Sequence, residues 1–399
     1  MRLKAIFTEG VKVTLAGSLV NFSLGIFYAW SVFANGLIKE LGWSKSEAMF
    51  PYTLELLVFS IAMIFGGRFQ DRFGPRRGIV LSGCFTGLGL ILCALTANPL
   101  GATLSFGIIF GGAAAFGYSA VTPAVIRWFP PAKRGLVTGI VIMSMGAAAL
   151  VWAPIVNLLI REIGVINTFF FCGVLLFLLI NLAARAIAVP ARQDQPLEKT
   201  GLVYGSCESN WRATITLPSF RILWVMIGLS TGVGAMFIGH LVQIAELNYQ
   251  VTWGYLLVSL FAASSALGRL AGGAMCDRIG YVGNLRLTIV LMVVSMLLYL
   301  SGWSWPALIT ATALLGLSYG SMYSSFPTIV GTLYGLDNFG INYGLLFTAV
   351  GLVGSLGPLF AAYFAELTNS YYPTFILGLL AALTCLFLLA KLKKKTLAI

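Results

Sequence analysis

The sequence predicts an all-α membrane protein with twelve transmembrane helices in two pseudo-symmetric six-helix bundles. Three observations carry that prediction: too little charge to cover a water-facing surface, apolar runs of spanning length from end to end, and a motif repeated at a fixed offset. Of the 399 residues, 59% are hydrophobic and 10% charged, with mean hydropathy +0.92, whereas ordinary soluble domains carry about 25% charge. So few charges cannot wet a body of 42.8 kDa. Soluble single-domain readings fail here.

The apolar runs place helices near 12–34, 48–67, 78–98, 101–126, 135–160 and 165–189 in the first half. The second half repeats the series near 222–247, 252–275, 285–303, 306–332, 341–366 and 371–391. Each is close to the roughly 20 residues that a helix needs to cross the hydrocarbon core. The start is basic, but the first apolar run is long enough to span, so no cleavable signal peptide is expected.

The net charge of +12 raises the question of a nucleic-acid partner, and its distribution answers it. With Met1 inside, all but four of the 25 Lys and Arg fall in inner segments. These are the start, 68–77, 127–134, 185–221, Arg278, Arg286 and the tail from Lys391. Lys39, Lys45 and Arg161 fall outside, and Arg269 falls within a span. That asymmetry is the positive-inside signal; it predicts an inner-membrane, multi-pass protein with both termini cytoplasmic, in a lipid bilayer and without nucleic acid. The six cysteines are scattered without metal-type spacing, and Cys84, Cys93, Cys172, Cys207, Cys276 and Cys385 read as small apolar packing residues.

Gly67-Arg68-Phe69-Gln70-Asp71-Arg72-Phe73-Gly74 and Gly273-Ala274-Met275-Cys276-Asp277-Arg278-Ile279-Gly280 share the pattern G-x-x-x-D-R-x-G. Pro123, Gly135 and Gly139 echo Pro327, Gly340 and Gly344 in the same order. Two parallel copies follow, with bundles expected over 1–189 and 219–399. Between them lies a cytoplasmic linker over 190–218, which holds Gln193, Asp194, Gln195, Glu198 and Lys199. The twofold loop resembles the signature of the major facilitator superfamily, whose halves rock around a central site. Asp71 and Asp277 can accept hydrogen bonds from a facing helix N-terminus, whose dipole favours anions. The resemblance implies that this contact shuts the inner gate, with Asp71, Arg72, Asp277 and Arg278 in gating roles. The competing reading of Arg72 and Arg278 is membrane topology alone.

Arg269 precedes Asp277 by eight residues, about 12 Å into the bilayer. A central Arg costs about 3 kcal/mol on insertion scales, so it should face a polar cavity and meet a partner. The matching position in the first half is Met63, so the fold itself needs no cation there. Arg269 is therefore the expected anion-binding residue, since its planar fork holds a carboxylate by two parallel bonds. Pairing with a buried carboxylate such as Glu55 is the alternative.

A narrower resemblance starts at Gly25-Ile26-Phe27-Tyr28-Ala29-Trp30-Ser31-Val32-Phe33-Ala34-Asn35, which is similar to the first helix of the oxalate:formate antiporter family. Gly117-Tyr118, Arg127-Trp128-Phe129-Pro130 and Lys133-Arg134-Gly135 resemble its fourth helix and loop. Gly268-Arg269 matches its substrate arginine, which the related monocarboxylate transporters share. The match implies that Tyr28, Tyr118, Tyr319, Tyr323 and Phe347 line the cavity, although each Tyr could equally serve helix packing. The family's second cation lies within N-Y-G-x-x-x-x-x-K. Here the stretch Asn342-Tyr343-Gly344 runs on to Val350.

One cation suits one carboxylate, so the expectation is a small monocarboxylate, lactate-, pyruvate- or formate-like. A neutral cycle then wants a proton, with His240, Glu55 and Glu246 as candidate carriers. The relatives' aspartate four residues before the arginine is Ser265 here, which leaves their proton route open. The expected function is a proton-coupled monocarboxylate symporter that works by alternating access as a monomer. The alternatives are an organic anion exchanger and a transporter-like membrane sensor. No enzyme, cofactor or metal is expected, because one histidine and no Ser/His/Asp set leave no catalytic constellation.

Overall fold

The computed structural model describes residues 2–190, 211–251, 253–302 and 304–396. Among these, nine continuous helices are long and apolar enough to cross a membrane. Two of the nine contain a break: Pro131–Ala186 turns at Gly164 and Gly254–Ser301 turns at Gly280. The helix Trp305–Tyr334 completes the series. It is rich in Ser, Thr and Tyr, and so falls below the apolar mean of the others. The twelve helices are α1 (Thr8–Leu41), α2 (Ser46–Phe73), α3 (Pro75–Thr96), α4 (Pro99–Ile126), α5 (131–163) and α6 (165–186). They continue with α7 (Pro218–Tyr249), α8 (254–279), α9 (281–301), α10 (Trp305–Tyr334), α11 (Phe339–Thr368) and α12 (Tyr372–Leu392). The expected all-α transmembrane architecture is thus present. Of the expected linker, the short helix Trp211–Thr216 is described, while 191–210, including Cys207, lie outside the described residues.

Several helices run further than the apolar runs suggested. α2 reaches Phe73, and α3 starts at Pro75. Hydropathy sees only the hydrocarbon core, whereas Arg68, Gln70 and Arg72 are good helix formers that carry the helix on into the headgroup zone. The turn after each signature loop is then one residue. Gly74 (φ 86°, ψ 155°) and Gly280 (φ 73°, ψ 164°) share one left-handed-side conformation, so the sequence repeat is also a backbone repeat. Large apolar side chains such as Leu15, Phe65, Leu95, Leu158, Leu359 and Phe387 lie on the outside, as lipid requires.

Close packing divides the chain into two units that exchange helix ends. One comprises 1–131, 144–211 and 333–348; the other comprises 132–143, 212–332 and 349–399. In the first, Trp30 stacks on Phe106 and Phe33 on Phe169, and the Trp30 indole donates to the Ala48 carbonyl (2.9 Å). In the second, Phe237, Tyr299 and Phe375 form an aromatic core with Met292, Met296 and Leu308. Two helices widen into π turns, α4 over Thr103–Phe110 and α11 over Val350–Gly354; such segments are frequent at functional sites.

Gly280 offers a clean test of the turn. A Cβ there meets nothing within 4 Å, so Gly280→Val carries only the backbone cost of this nearly glycine-only conformation, about 1–3 kcal/mol. The expected result is a lower melting temperature in detergent for Gly280→Val and an unchanged one for Gly239→Ala, also without neighbours within 4 Å. Equal melting temperatures would contradict the assigned strain.

Candidate functional site

In the second unit, Arg269 is only 5% exposed. Among the described residues it makes no ion pair, and the contact its guanidinium makes is with the Tyr323 ring, 5.5 Å from Cζ to centroid. Tyr323 in turn shares a hydroxyl hydrogen bond with Tyr319 (3.2 Å), whose ring packs against Phe261. Three of the residues singled out in the sequence, Arg269, Tyr319 and Tyr323, are thereby brought together on α8 and α10.

Their placement follows from how tightly these helices cross. A Cβ on Gly268 would run into the Leu317 backbone, and one on Gly320 into the Ser265 carbonyl. With no room for side chains at the crossing, Arg269 is held beside Tyr323. The crossing is backed by a polar network in which Asn284 donates to Ser325 (2.7 Å), Thr288 shares a hydrogen bond with Ser321 (2.8 Å), and Ser318 donates to the Thr288 carbonyl (3.0 Å). Buried polar groups that satisfy one another fix a single packing.

In the first unit, Tyr118 and Phe347 meet. Tyr118 is buried beneath Phe59, Phe347 and Tyr343, and its hydroxyl lies 3.5 Å from that of Tyr343. Tyr28, 38% exposed, packs on Phe27 at the short 3-10 segment Gly25–Ala29 within α1. Tyr343 and Phe59 were passed over in the sequence. Tyr343 lies inside the stretch Asn342-Tyr343-Gly344 without being singled out there, and its four-residue spacing to Phe347 could have found it.

The signature loops form two matching clasps. Asp71 accepts from the N–H groups of Gly340 (3.0 Å) and Ile341 (2.9 Å) at the start of α11. Asp277 accepts from those of Gly135 (2.8 Å) and Leu136 (2.7 Å) near the start of α5. Each carboxylate thus sits on a helix N-terminus, where free N–H groups and the dipole favour negative charge. Gln70 donates to Asp71, and Arg127 donates to the Leu336 carbonyl (2.8 Å) while interacting electrostatically with Asp71 and Asp337. Arg127 and Asp337 were not foreseen as clasp members, because a contact 209 positions away leaves no local pattern. Arg72 and Arg278 are exposed and, among the described residues, take part in no ion pair.

The three proton-carrier candidates separate. Glu246 is exposed near the end of α7. His240 is engaged on both nitrogens: Nε2 lies 3.1 Å from the Pro358 carbonyl and Nδ1 lies 3.3 Å from the Tyr371 hydroxyl. A carbonyl only accepts, so Nε2 donates to Pro358. Glu55 is fully buried on α2, and among the described residues neither oxygen has a hydrogen-bond partner. Two surface grooves of about 490 and 600 Å³ are apolar, one around Trp253 and Trp305 and one around Phe177 and Arg185; Arg269 lines neither.

A family model described as Major Facilitator Superfamily matches residues 15–302 and 244–398. The chain is 24% identical over 360 residues to the oxalate:formate antiporter of Oxalobacter formigenes, covering 88% of this chain and 85% of the relative. It is 26% identical over 387 residues to monocarboxylate transporter 11 of Mus musculus, covering 92% and 83%. Among solved structures it is similar to the Major Facilitator Superfamily transporter FucP in the outward conformation, with TM-score 0.72 at 12% identity over 95% and 98% of the two chains.

The clasp geometry makes a direct prediction. Asp71→Ala removes two charge-assisted hydrogen bonds, each worth about 1.5–3 kcal/mol net. Amide hydrogen exchange at Gly340 and Ile341 should then rise at least about tenfold, by the usual 1.4 kcal/mol per decade. Unchanged protection of that peptide would show that the carboxylate does not hold the helix end.

Proposed function

We propose, from the premise that the chain belongs to the Major Facilitator Superfamily, that it is a proton-coupled symporter of small monocarboxylates. It is multi-pass in the membrane, which we place as the cytoplasmic membrane with both termini inside, and it works as a monomer by alternating access. The observation that carries the reading is Arg269, buried and without an ion-pair partner among the described residues. A guanidinium in a low-dielectric interior is costly unless an anion compensates it, and its fork fits one carboxylate. The names of the relatives, an oxalate:formate antiporter and a monocarboxylate transporter, support a small organic anion as cargo.

The choice of a monocarboxylate rests on counting charges. Position 350, where the resembling family has a lysine, is Val350, the first residue of the π turn in α11. Without a second cation, a second carboxylate would enter uncompensated. A proton carried with the anion makes the loaded cycle neutral. It also removes the electrical penalty of moving a lone charge, about 2.3 kcal/mol per 100 mV. Around Arg269, Tyr323 presents a ring face and Tyr319 a hydroxyl, an apolar wall with a donor that suits a short aliphatic acid.

Exchange is the second reading, favoured by Ser265 at the place of the relatives' aspartate and by the antiporter's name. Counterflow separates the two. Uptake driven by a pH gradient into vesicles without internal anion supports symport, and a strict need for internal anion supports exchange.

Two substitutions test the site. Arg269→Ala should weaken lactate binding by at least about 2 kcal/mol, roughly thirtyfold, in a titration of purified protein against lactate, pyruvate, formate and oxalate. Undiminished binding of every anion would move the site elsewhere. Val350→Lys should raise the preference for oxalate over lactate in the same panel. An unchanged preference would mean that residue 350 does not meet the substrate.

A further inference from the structure

A carboxyl group with neither a cation nor a hydrogen-bond donor is unusual inside a membrane protein, and α2 holds one. Glu55 is 0% exposed, and among the described residues neither of its oxygens has a hydrogen-bond partner. Its helix is pressed against α4 by glycines. A Cβ on Gly111 would stand 3.0 Å from the Glu55 carbonyl oxygen and 3.2 Å from its Cγ, and one on Gly107 would stand 3.0 Å from Leu54. The seam continues downward, where a Cβ on Gly66 would stand 2.9 Å from Phe116 Cα. Opposite Glu55, α4 is not a regular helix: its π turn runs over Thr103–Phe110 and ends at Gly111.

The surroundings supply no charge. α4 has no charged residue over 99–126, and α3 carries Arg76 and Arg77 at its cytoplasmic end. α1 carries Lys39 and Glu40 at its outer end, and Glu40 is engaged by the Val165 N–H (2.8 Å). The titratable groups that neighbouring elements bring to α2 are tyrosines. They are Tyr28 of α1, beside the Phe27 that stacks with Tyr52, and Tyr118 of α4 and Tyr343 of α11, which surround Phe59 and Phe347. Asp71, Arg127 and Asp337 lie at the far end of the same helix, some 16 residues or about 24 Å away.

We propose that Glu55 is the site that takes up and releases the coupling proton. This deepens the reading of proton-coupled carboxylate transport and rests on it. In the sealed seam an ionised carboxylate would be uncompensated, so Glu55 resides there as the neutral acid. Release requires water at the carboxyl, hence parting of α2 from the 103–111 segment. The O–H bond then breaks to water on the receiving side, and it re-forms by proton transfer from water on the donating side. The π turn is the part of α4 able to move without breaking the helix on either side. Because α2 also carries the Asp71 clasp, protonation and clasp are borne by one rigid rod. Of the other two carriers, Glu246 is exposed, and His240 already engages both nitrogens, one with α11 and one with Tyr371 just before α12.

The test uses the full chain in proteoliposomes. Infrared difference spectroscopy should show a protonated-carboxyl band in the wild type that is absent from Glu55→Gln; identical spectra would overturn the proposal. With L-lactate as probe, Glu55→Gln should lose accumulation driven by a pH gradient yet keep lactate–lactate counterflow, and Glu55→Asp should keep both. Gradient-driven accumulation by Glu55→Gln equal to the wild type would also overturn it. So would loss of counterflow in a Glu55→Gln protein that melts like the wild type, since the residue would then serve carriage rather than coupling. If the wild type carries no monocarboxylate, the transport reading fails while the infrared band still decides the protonation of Glu55.

Discussion

A single guanidinium in an apolar interior sets the terms for the rest of this protein. Arg269 is buried on α8, faced by the ring of Tyr323 and, among the described residues, joined to no carboxylate. An aromatic face softens the cost of such a cation by about 0.5–2 kcal/mol, less than the roughly 3 kcal/mol that insertion scales assign to a mid-membrane arginine. In the function proposed above, the remainder comes from an anion that arrives and leaves. The tight crossing of α8 with α10 and the serine–asparagine network behind it serve the same end. They hold the cation in one place although its charge pushes toward water.

The clasps solve a different problem with the same chemistry. Transport requires that helix ends be held and then let go. A carboxylate on two backbone N–H groups suits this, because it is strong in a dry site and is exchanged for water without breaking any covalent or secondary structure. Asp71 and Asp277 make the same contact with α11 and α5, each within its own packing unit, through segments 333–348 and 132–143. The clasps are not identical in depth. Asp71 is joined by Gln70 and Arg127, and four residues after Pro327, the place that answers to Arg127 after Pro123, stands Gly331.

Much of this was legible in the sequence, for identifiable reasons. The helix count and the repeat were readable because they are local: composition over 20 residues, and a motif of eight. Arg269 was readable because a lone charge within an apolar run is conspicuous. Tyr319 and Tyr323 came from the family resemblance, not from any pattern in the chain itself. What escaped depends on contacts between segments far apart in the chain. Arg127 reaches Leu336, Tyr118 meets Tyr343, and the π turns at 103–110 and 350–354 arise from packing and leave no trace in composition. The three carboxyl and imidazole candidates looked equivalent in the sequence because burial and hydrogen bonding, which distinguish them, are properties of the fold alone.

The central claim is that the charge of Arg269 is answered by substrate. An experimental structure of the purified protein with a bound monocarboxylate tests it most directly. The account predicts both carboxylate oxygens on the Arg269 fork, with Tyr319 or Tyr323 alongside. An Arg269 side chain turned to lipid, or locked to a carboxylate of the protein itself while the ligand sits elsewhere, would contradict it.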